Sequence, residues 1–313
     1  MKLLVVVLLV SNMSSAVARA ASPEGSEFAQ ARQNGALFDQ MGWAAQKLLK
    51  AWLKFADPRT SLLPDRLPEL KPEDRTRRYT PHNSGADLYP YLILTAHLTD
   101  PDLYRGTLLE MLRNEVRYTT RTNSVPGNLD LNTGELDPMS LFGAGEYAKD
   151  GLLAVTELLG RTPWFYRMVD MTADVMKNAP VASKFGNLPA SDSELNGDLL
   201  QTLVRLGPMT ADRRFMDWAR RIADAYVEEV LPANEGLPSL NWNFTTNTGD
   251  GQVRLRDHGN EVVVGLCSSM PWSATSTQRA PLVTVRFWLA CSTASWSRLM
   301  PMGCSTTRSM PKH

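Results

Sequence analysis

A chain of 313 residues with no formal net charge and 43% hydrophobic side chains can bury one large core or two smaller ones. It offers no electrostatic reason to expect nucleic acid or an anionic surface as a partner. All three cysteines fall in the last 47 residues, which excludes a disulfide scaffold for the bulk of the chain, and their spacing fits no metal pattern.

Residues 1–20 read as a signal peptide. Lys2 is basic, Leu3 to Val10 are apolar, and Ala16-Val-Ala-Arg-Ala-Ala21 offers small residues for cleavage after Ala20. That apolar run is about half of the ~20 residues a spanning helix needs, so export to the periplasm or exterior is expected, with no membrane partner beyond that signal. Residues 21–35 read as a mobile leader. From 36 to 55, Leu37, Phe38, Met41, Ala44, Leu48, Trp52 and Phe55 recur at helical spacing. Pro58 closes that helix, and the Pro- and charge-rich segment 58–78 is expected to run over the surface.

A unit then repeats. Helices at 86–98 and 102–118 flank Thr99-Asp-Pro-Asp102, with Asp100 as cap and Pro101 as first helical residue. Helices at 145–159 and 163–178 flank Gly160-Arg-Thr-Pro163, with Thr162 as cap. Helices at 192–206 and 210–230 flank Gly207-Pro-Met-Thr210. Recurring helical hairpins imply a ring or array of antiparallel pairs. The links 119–143, 179–191 and 231–257 are long enough to suggest function, and the first and third have room for small β-hairpins. The stretch Arg256–Leu266 then reads as a polar loop running into a buried helix.

The tail, 267–313, is different. It holds fifteen Ser or Thr, three of the eight Trp and no acidic residue, although the chain has 33. Met, Trp and Cys have few codons, so the tail constrains its own nucleotide sequence. Read one base earlier, Met270-Pro-Trp-Ser can give Tyr-Ala-Leu-Glu, and Phe287-Trp-Leu-Ala-Cys-Ser-Thr293 can give Val-Leu-Ala-Arg-Met-Leu-Asp. These products are helix-like. The expectation is a frameshifted tail, with the native protein continuing past residue 313. A disordered tail is the alternative, and so much Trp and Leu counts against it.

Four polar helix starts carry the candidate chemistry: Pro81-His-Asn-Ser-Gly-Ala-Asp-Leu88, Gly143-Ala-Gly-Glu-Tyr-Ala-Lys-Asp-Gly-Leu152, Ser191-Asp-Ser-Glu-Leu-Asn-Gly-Asp-Leu199 and Asp257-His-Gly-Asn-Glu261. In a ring with first helices inside, they share one cleft. A Glu backed by apolar packing can hold a raised pKa and act as acid, while a carboxylate opposite stays ionised. Glu261 or Asp257 is the candidate acid, and Asp87 or Glu146 the base or electrostatic partner. His82, Asn83, Tyr89, Asp150, Glu194, Asp198 and His258 are candidate substrate contacts, with Trp242 from the last long loop as a stacking surface. The competing role for each acid is capping a helix start, and for Tyr89 a place in the core. Asn128, Asp130, Asn132, Thr133 and Glu135 are spaced loosely like a calcium loop but lack its central glycine, so a plain turn is expected. No metal or other cofactor is expected.

A signal peptide, repeated hairpins and acids at inner-helix starts make residues 36–266 resemble the six-hairpin (α/α)-toroid glycosidases and polysaccharide lyases. The resemblance implies an all-α hairpin toroid, here truncated, and an exported enzyme acting on a carbohydrate by paired carboxylates. Lyase or epimerase chemistry occurs in the same class. The alternatives are a helical-repeat module that binds glycan or protein without turnover, and an inactive remnant.

Overall fold

The computed structural model describes residues 24–67, 77–121, 123–256, 258–273 and 308–309. The expected signal peptide at 1–20, Asp257 and most of the tail expected to be frameshifted therefore lie outside the described residues. The described part is mostly helical. Helix α1 is Glu24–Leu53. Helix α2 covers 81–99, opening as a π-helix over Pro81–Leu88 and continuing as an α-helix over Tyr89–Thr99. Helix α3 covers 101–119. Helix α4 covers 141–159 and passes through a π segment at Tyr147–Leu153. Helices α5 (Pro163–Lys177), α6 (Ser193–Thr210), α7 (213–233) and α8 (Glu261–Ser273) follow.

Helices α2, α4, α6 and α8 pack side by side in chain order, and α3, α5 and α7 lie behind their partners. The result is an arc of α/α hairpins with the first helix of each pair on the inner wall. No helix among the described residues is long and apolar enough to cross a membrane.

The caps explain why most helix starts were readable. The Asp100 side chain accepts from the Leu103 amide at 3.2 Å, and Asp192 accepts from Leu195 at 2.8 Å. Thr162 occupies its cap position, but its hydroxyl makes no capping bond. The first and third of the long links hold small hairpins. Strands β1 (Arg78–Tyr79), β2 (Gly127–Asp130) and β3 (Leu136–Met139) form an antiparallel sheet in that order, and β4 (Trp242–Asn243) pairs with β5 (Thr248–Gly249). A further pair joins β6 (Gln252–Val253) to β7 (Arg308–Ser309). The calcium-like loop is the β2–β3 turn: Asp130 Oδ1 accepts from the Asn132 and Thr133 amides at 2.8 and 3.0 Å.

Four expectations need correction. Helix α1 begins at Glu24, not 36, because Ala29-Gln-Ala-Arg-Gln33 favours a helix and Glu27 suits its positive end. Only the C-terminal end of its expected apolar face is covered, where Trp52 and Phe55 pack against the core. Gly42, Gln46 and Leu49 meet α2, while Leu37, Met41 and Leu48 are 51%, 71% and 51% exposed. The segment 58–78 does not simply run over the surface, since Leu62 and Leu63 are fully buried. Finally, Gly207-Pro208 is not a turn. Pro208 sits inside the last turn of α6, and the reversal comes at Ala211, in the left-handed region at φ 57°.

Behind α2 and α4 lies a charged pair that the sequence did not announce. Arg167 on α5 grips Glu115 on α3 with two bonds, Nε–Oε2 at 2.8 Å and Nη2–Oε1 at 2.6 Å, and gives a third to the Ser124 carbonyl at 2.7 Å. Thr119 Oγ1 donates to Glu115 Oε1 at 2.9 Å. Tyr79, Tyr89 and Tyr147 pack close by, and burial together with the charge of Glu115 pushes the Tyr79 and Tyr147 phenols up.

Candidate active site

Two inner helices place their acids past the capping position. Ser140 caps α4 by accepting from Gly143 N at 2.9 Å, and Asp192 caps α6. Glu146 and Asp198 therefore lie deeper, with no capping duty. Asp87 and Asp150 lie on the π segments of α2 and α4, where wider winding redirects side chains and often accompanies function.

Close approach between the inner helices fixes the wall. A Cβ on Gly197 would stand 2.2 Å from the Val262 amide nitrogen and 2.7 Å from the Glu261 Cβ. One on Gly145 would meet Leu195 Cδ1 at 2.2 Å. Each glycine immediately precedes an acid, Asp198 and Glu146 respectively. Helix contact and carboxylate placement are thus set by neighbouring residues.

Asp198 is fully buried, and neither of its oxygens makes a well-formed hydrogen bond to a donor. Lys149 Nζ stands 3.4 Å from Oδ1. Glu146 and Asp198 act on one another, an interaction that lowers Glu146 and raises Asp198. Burial pushes both up, Glu146 to about 7 and Asp198 to about 9, with Lys149 opposing the rise at each. The pair therefore holds a proton at neutral pH. Lys149 Nζ also lies 3.0 Å from Asp150 Oδ1. Burial works against its ammonium, but Asp198, Asp150 and the more distant Glu261 outweigh it and raise its affinity for the proton.

Asp87 and Asp150 are both exposed. Partial burial and the charge of Asp150 lift Asp87 above the usual carboxylate range, and His82 opposes that rise. Burial lowers His82, while Asp65 and Asp87 pull it upward. Asn83 is held 3.5 Å from Asp65 Oδ2. At the far wall, His258 Nδ1 is hydrogen-bonded to Glu194 Oε1. Burial raises Glu194 despite that contact. His258 has φ 67°, a conformation costly for a side chain bearing Cβ, and it sits beside Gly259, whose added Cβ would strike the Arg254 carbonyl at 2.2 Å. Glu261 starts α8, is 7% exposed, and its carbonyl accepts from Gln201 Nε2 at 3.1 Å.

Residues from all four helix starts thus form one linked electrostatic set: His82 and Asp87, then Glu146 and Asp150, then Glu194 and Asp198, then His258 and Glu261. Two candidates fall elsewhere. Tyr89 is 3% exposed, its ring 5.8 Å from Tyr79. It is a core residue, since a tyrosine on the first inner helix serves packing as readily as stacking. Trp242 is not an exposed loop aromatic either: strand β4 turns it inward, leaving 3% exposed and its indole nitrogen without a partner. Trp242 lines a groove of 540 Å³ with Ser191, Asn241, Asn243, Thr248 and Asp250, a groove that the linked acids do not line. Lys149 went unnoticed in the sequence. Its position three residues after Glu146 and next to Asp150 was the available signal. Among the described residues, no group of three or more His, Cys, Asp or Glu is arranged to hold a metal ion.

Fold and site together define an arc of α/α hairpins with an acidic inner wall. No protein-family model and no curated protein matches the chain. Among solved structures it is similar to the unsaturated glucuronyl hydrolase of Bacillus sp. GL1, described as responsible for the degradation of glycosaminoglycan. Identity is 16%, the match covers 58% of this chain and 53% of that one, and the TM-score is 0.41. The chain thus spans about half the length of that enzyme.

Proposed function

We propose that the protein is a carbohydrate-active enzyme, hydrolysing a glycosidic link with paired carboxylates at the mouth of the hollow. The observation that carries this reading is the pairing of Asp87 and Asp150, exposed carboxyls from facing helices that act on one another. Asp87, with its raised proton affinity, is the proton donor to the leaving oxygen. Asp150, with Lys149 as counter-ion at 3.0 Å, is the charged partner that steadies positive charge or activates water. Glu146 and Asp198 lie beneath and keep a proton close to this pair. Being fully buried, Asp198 acts through its neighbours and not on substrate. His82 and His258 flank the hollow as substrate contacts. Export, if the first twenty residues direct it, would put this activity outside the cytoplasm.

The test is turnover on a panel of glycosides and polysaccharides. Asp87→Asn and Asp150→Asn are each expected to lower kcat/KM by about 10²-fold or more with melting temperature little changed. Activity should fall as pH rises through the raised value of Asp87, because the donor must carry its proton. Reducing-end release supports hydrolysis, and new ultraviolet absorbance from an unsaturated product would redirect the reading to a lyase. Full activity in both variants would remove it. The groove beside Trp242, rich in amide and hydroxyl groups and apart from the linked acids, favours glycan binding without turnover as the second reading. Retention on a polysaccharide with no product would select that one.

A further inference from the structure

We infer that the groove over Trp242 is a saccharide-binding subsite that works together with the acids of the inner wall, and that the substrate is an uncharged polysaccharide long enough to engage both. The inference rests on the enzymatic reading and names the substrate class for it.

The groove measures 540 Å³, within the range of about 300–1,000 Å³ usual for small-molecule sites. Trp242 and Phe244, both buried, give it an apolar base. Ser191, Asn241, Asn243, Thr245 and Thr248 line it as well, and all five are exposed. Such short polar side chains lose less freedom on binding than long charged ones. Asn243 Oδ1 is committed to the Thr245 and Thr246 amides at 2.9 and 3.1 Å, which leaves its N–H groups for a ligand hydroxyl. Among the described residues, Asp250 is the one charged group in the lining. Ser239 Oγ at 3.2 Å, Asn241 Nδ2 at 2.9 Å and the Gln252 amide at 2.9 Å hold its carboxylate in place. A fixed carboxylate beside amides and hydroxyls accepts from sugar hydroxyls. It also repels uronate and sulfate groups.

The groove is anchored to the helix that carries two of the wall's acids. Trp242 N donates to the Ser191 carbonyl at 2.8 Å and Ser193 N to the Leu240 carbonyl at 2.9 Å, so β4 runs beside the start of α6. Tyr226 of α7 donates to the Asp192 carbonyl at 3.0 Å and sets its ring 6.3 Å from that of Phe244. Ser191 precedes Glu194 by three residues, a stretch that reaches no further than about 11 Å. A polysaccharide seated in the groove is therefore held on a rigid support close to the acids. Charge selects the same substrate in both places. An anionic chain would meet the exposed carboxylates of Asp87, Asp150 and Asp250, and Lys149 is already paired with Asp150 and Asp198.

The test measures binding and turnover separately. Calorimetry on the Asp150→Asn protein, whose turnover is suppressed, uses maltohexaose, cellohexaose, xylohexaose, mannohexaose and hexagalacturonate. At least one neutral hexamer should bind more tightly than hexagalacturonate. Ala182→Trp places a ring in the groove from an exposed lining position, and it should weaken that binding at least ~10-fold. Ser191→Ala deletes one hydroxyl and should weaken it about fivefold. With Asp150 restored, Ala182→Trp should lower kcat/KM on the same hexamer by a similar factor, yet leave kcat/KM on single-sugar nitrophenyl glycosides within about twofold. Equal loss on the hexamer and on the single-sugar glycosides overturns the inference, because the groove would then act through the fold or the acids. So does hexamer binding that both variants leave unchanged, tighter binding of hexagalacturonate, or no binding of any hexamer. In each of those cases, turnover of single-sugar glycosides still judges the paired carboxylates on their own.

Discussion

Two clusters of buried charge lie on either side of the inner helices, and they are built in opposite ways. Behind the wall, Glu115 and Arg167 form a closed unit: two charge-assisted bonds, with Ser124 and Thr119 satisfying further groups. On the inner helices, Asp198 and Glu146 are two acids with one lysine, and Asp198 lacks a well-formed bond from any donor. The first arrangement neutralises its own charge and fixes α3 against α5. The second leaves proton affinity raised and geometry only partly satisfied, a state that folding alone would not favour and that proton-transfer chemistry can use. A buried charge thus reveals its role by how completely it is paired.

The contrast can be broken most forcefully at the closed unit. Arg167→Met leaves Glu115 buried and uncompensated and should cost about 3–5 kcal/mol of stability, read by urea or thermal unfolding. Restoring neutrality with Glu115→Leu in the same chain should recover much of that loss. A smaller effect is expected at the wall. Gly197→Ala forces α8 away from α6 because the neighbour at 2.2 Å is backbone, and overpacking of this kind costs about 1–3 kcal/mol. Since Glu261 moves with that backbone, activity should fall beyond what lost stability explains.

The mildest change should have the opposite sign. A carboxyl whose proton affinity is higher in the folded than in the unfolded chain takes up a proton on folding. Its contribution is present below the ordinary carboxylate range of about 4. It is lost as pH rises through about 7 for Glu146 and about 9 for Asp198. Asp198→Asn removes the larger part of that dependence. Its melting temperature should exceed the parent's by a few degrees at pH 8, with the gap closing near pH 4. A parent that becomes more stable from pH 5 to pH 8 would contradict the reading of this pair as a proton store.

Much of the fold was legible because local chemistry marks helix starts. Asp100-Pro101 announced its helix in the sequence, and the polar runs at 81–88, 143–152 and 191–199 marked the starts of the inner helices. The π windings had no such mark, so Asp150 and Lys149 could be named or overlooked but not placed. Tyr89 and Trp242 show a different limit. Aromatic rings suit a core and a sugar face equally, and only tertiary contact separates the two. Gly207-Pro208 misled for a related reason: a proline near a helix end removes one bond there without ending the helix. The face of α1 was identified correctly as apolar, but periodicity does not say whether anything covers it.

Close contact at Gly197, against the backbone of α8, and at Gly145, against the Leu195 side chain, has a consequence for how such a protein could diversify. Where main chains touch, an acid cannot be repositioned by choosing another side-chain rotamer, and shifting one helix drags its neighbours. New substrate preferences would therefore accumulate in the connecting segments 178–192 and 234–256, around the Trp242 groove, while the wall drifts little. A library randomised in those segments should yield altered selectivity far more often than one randomised along α4 and α6.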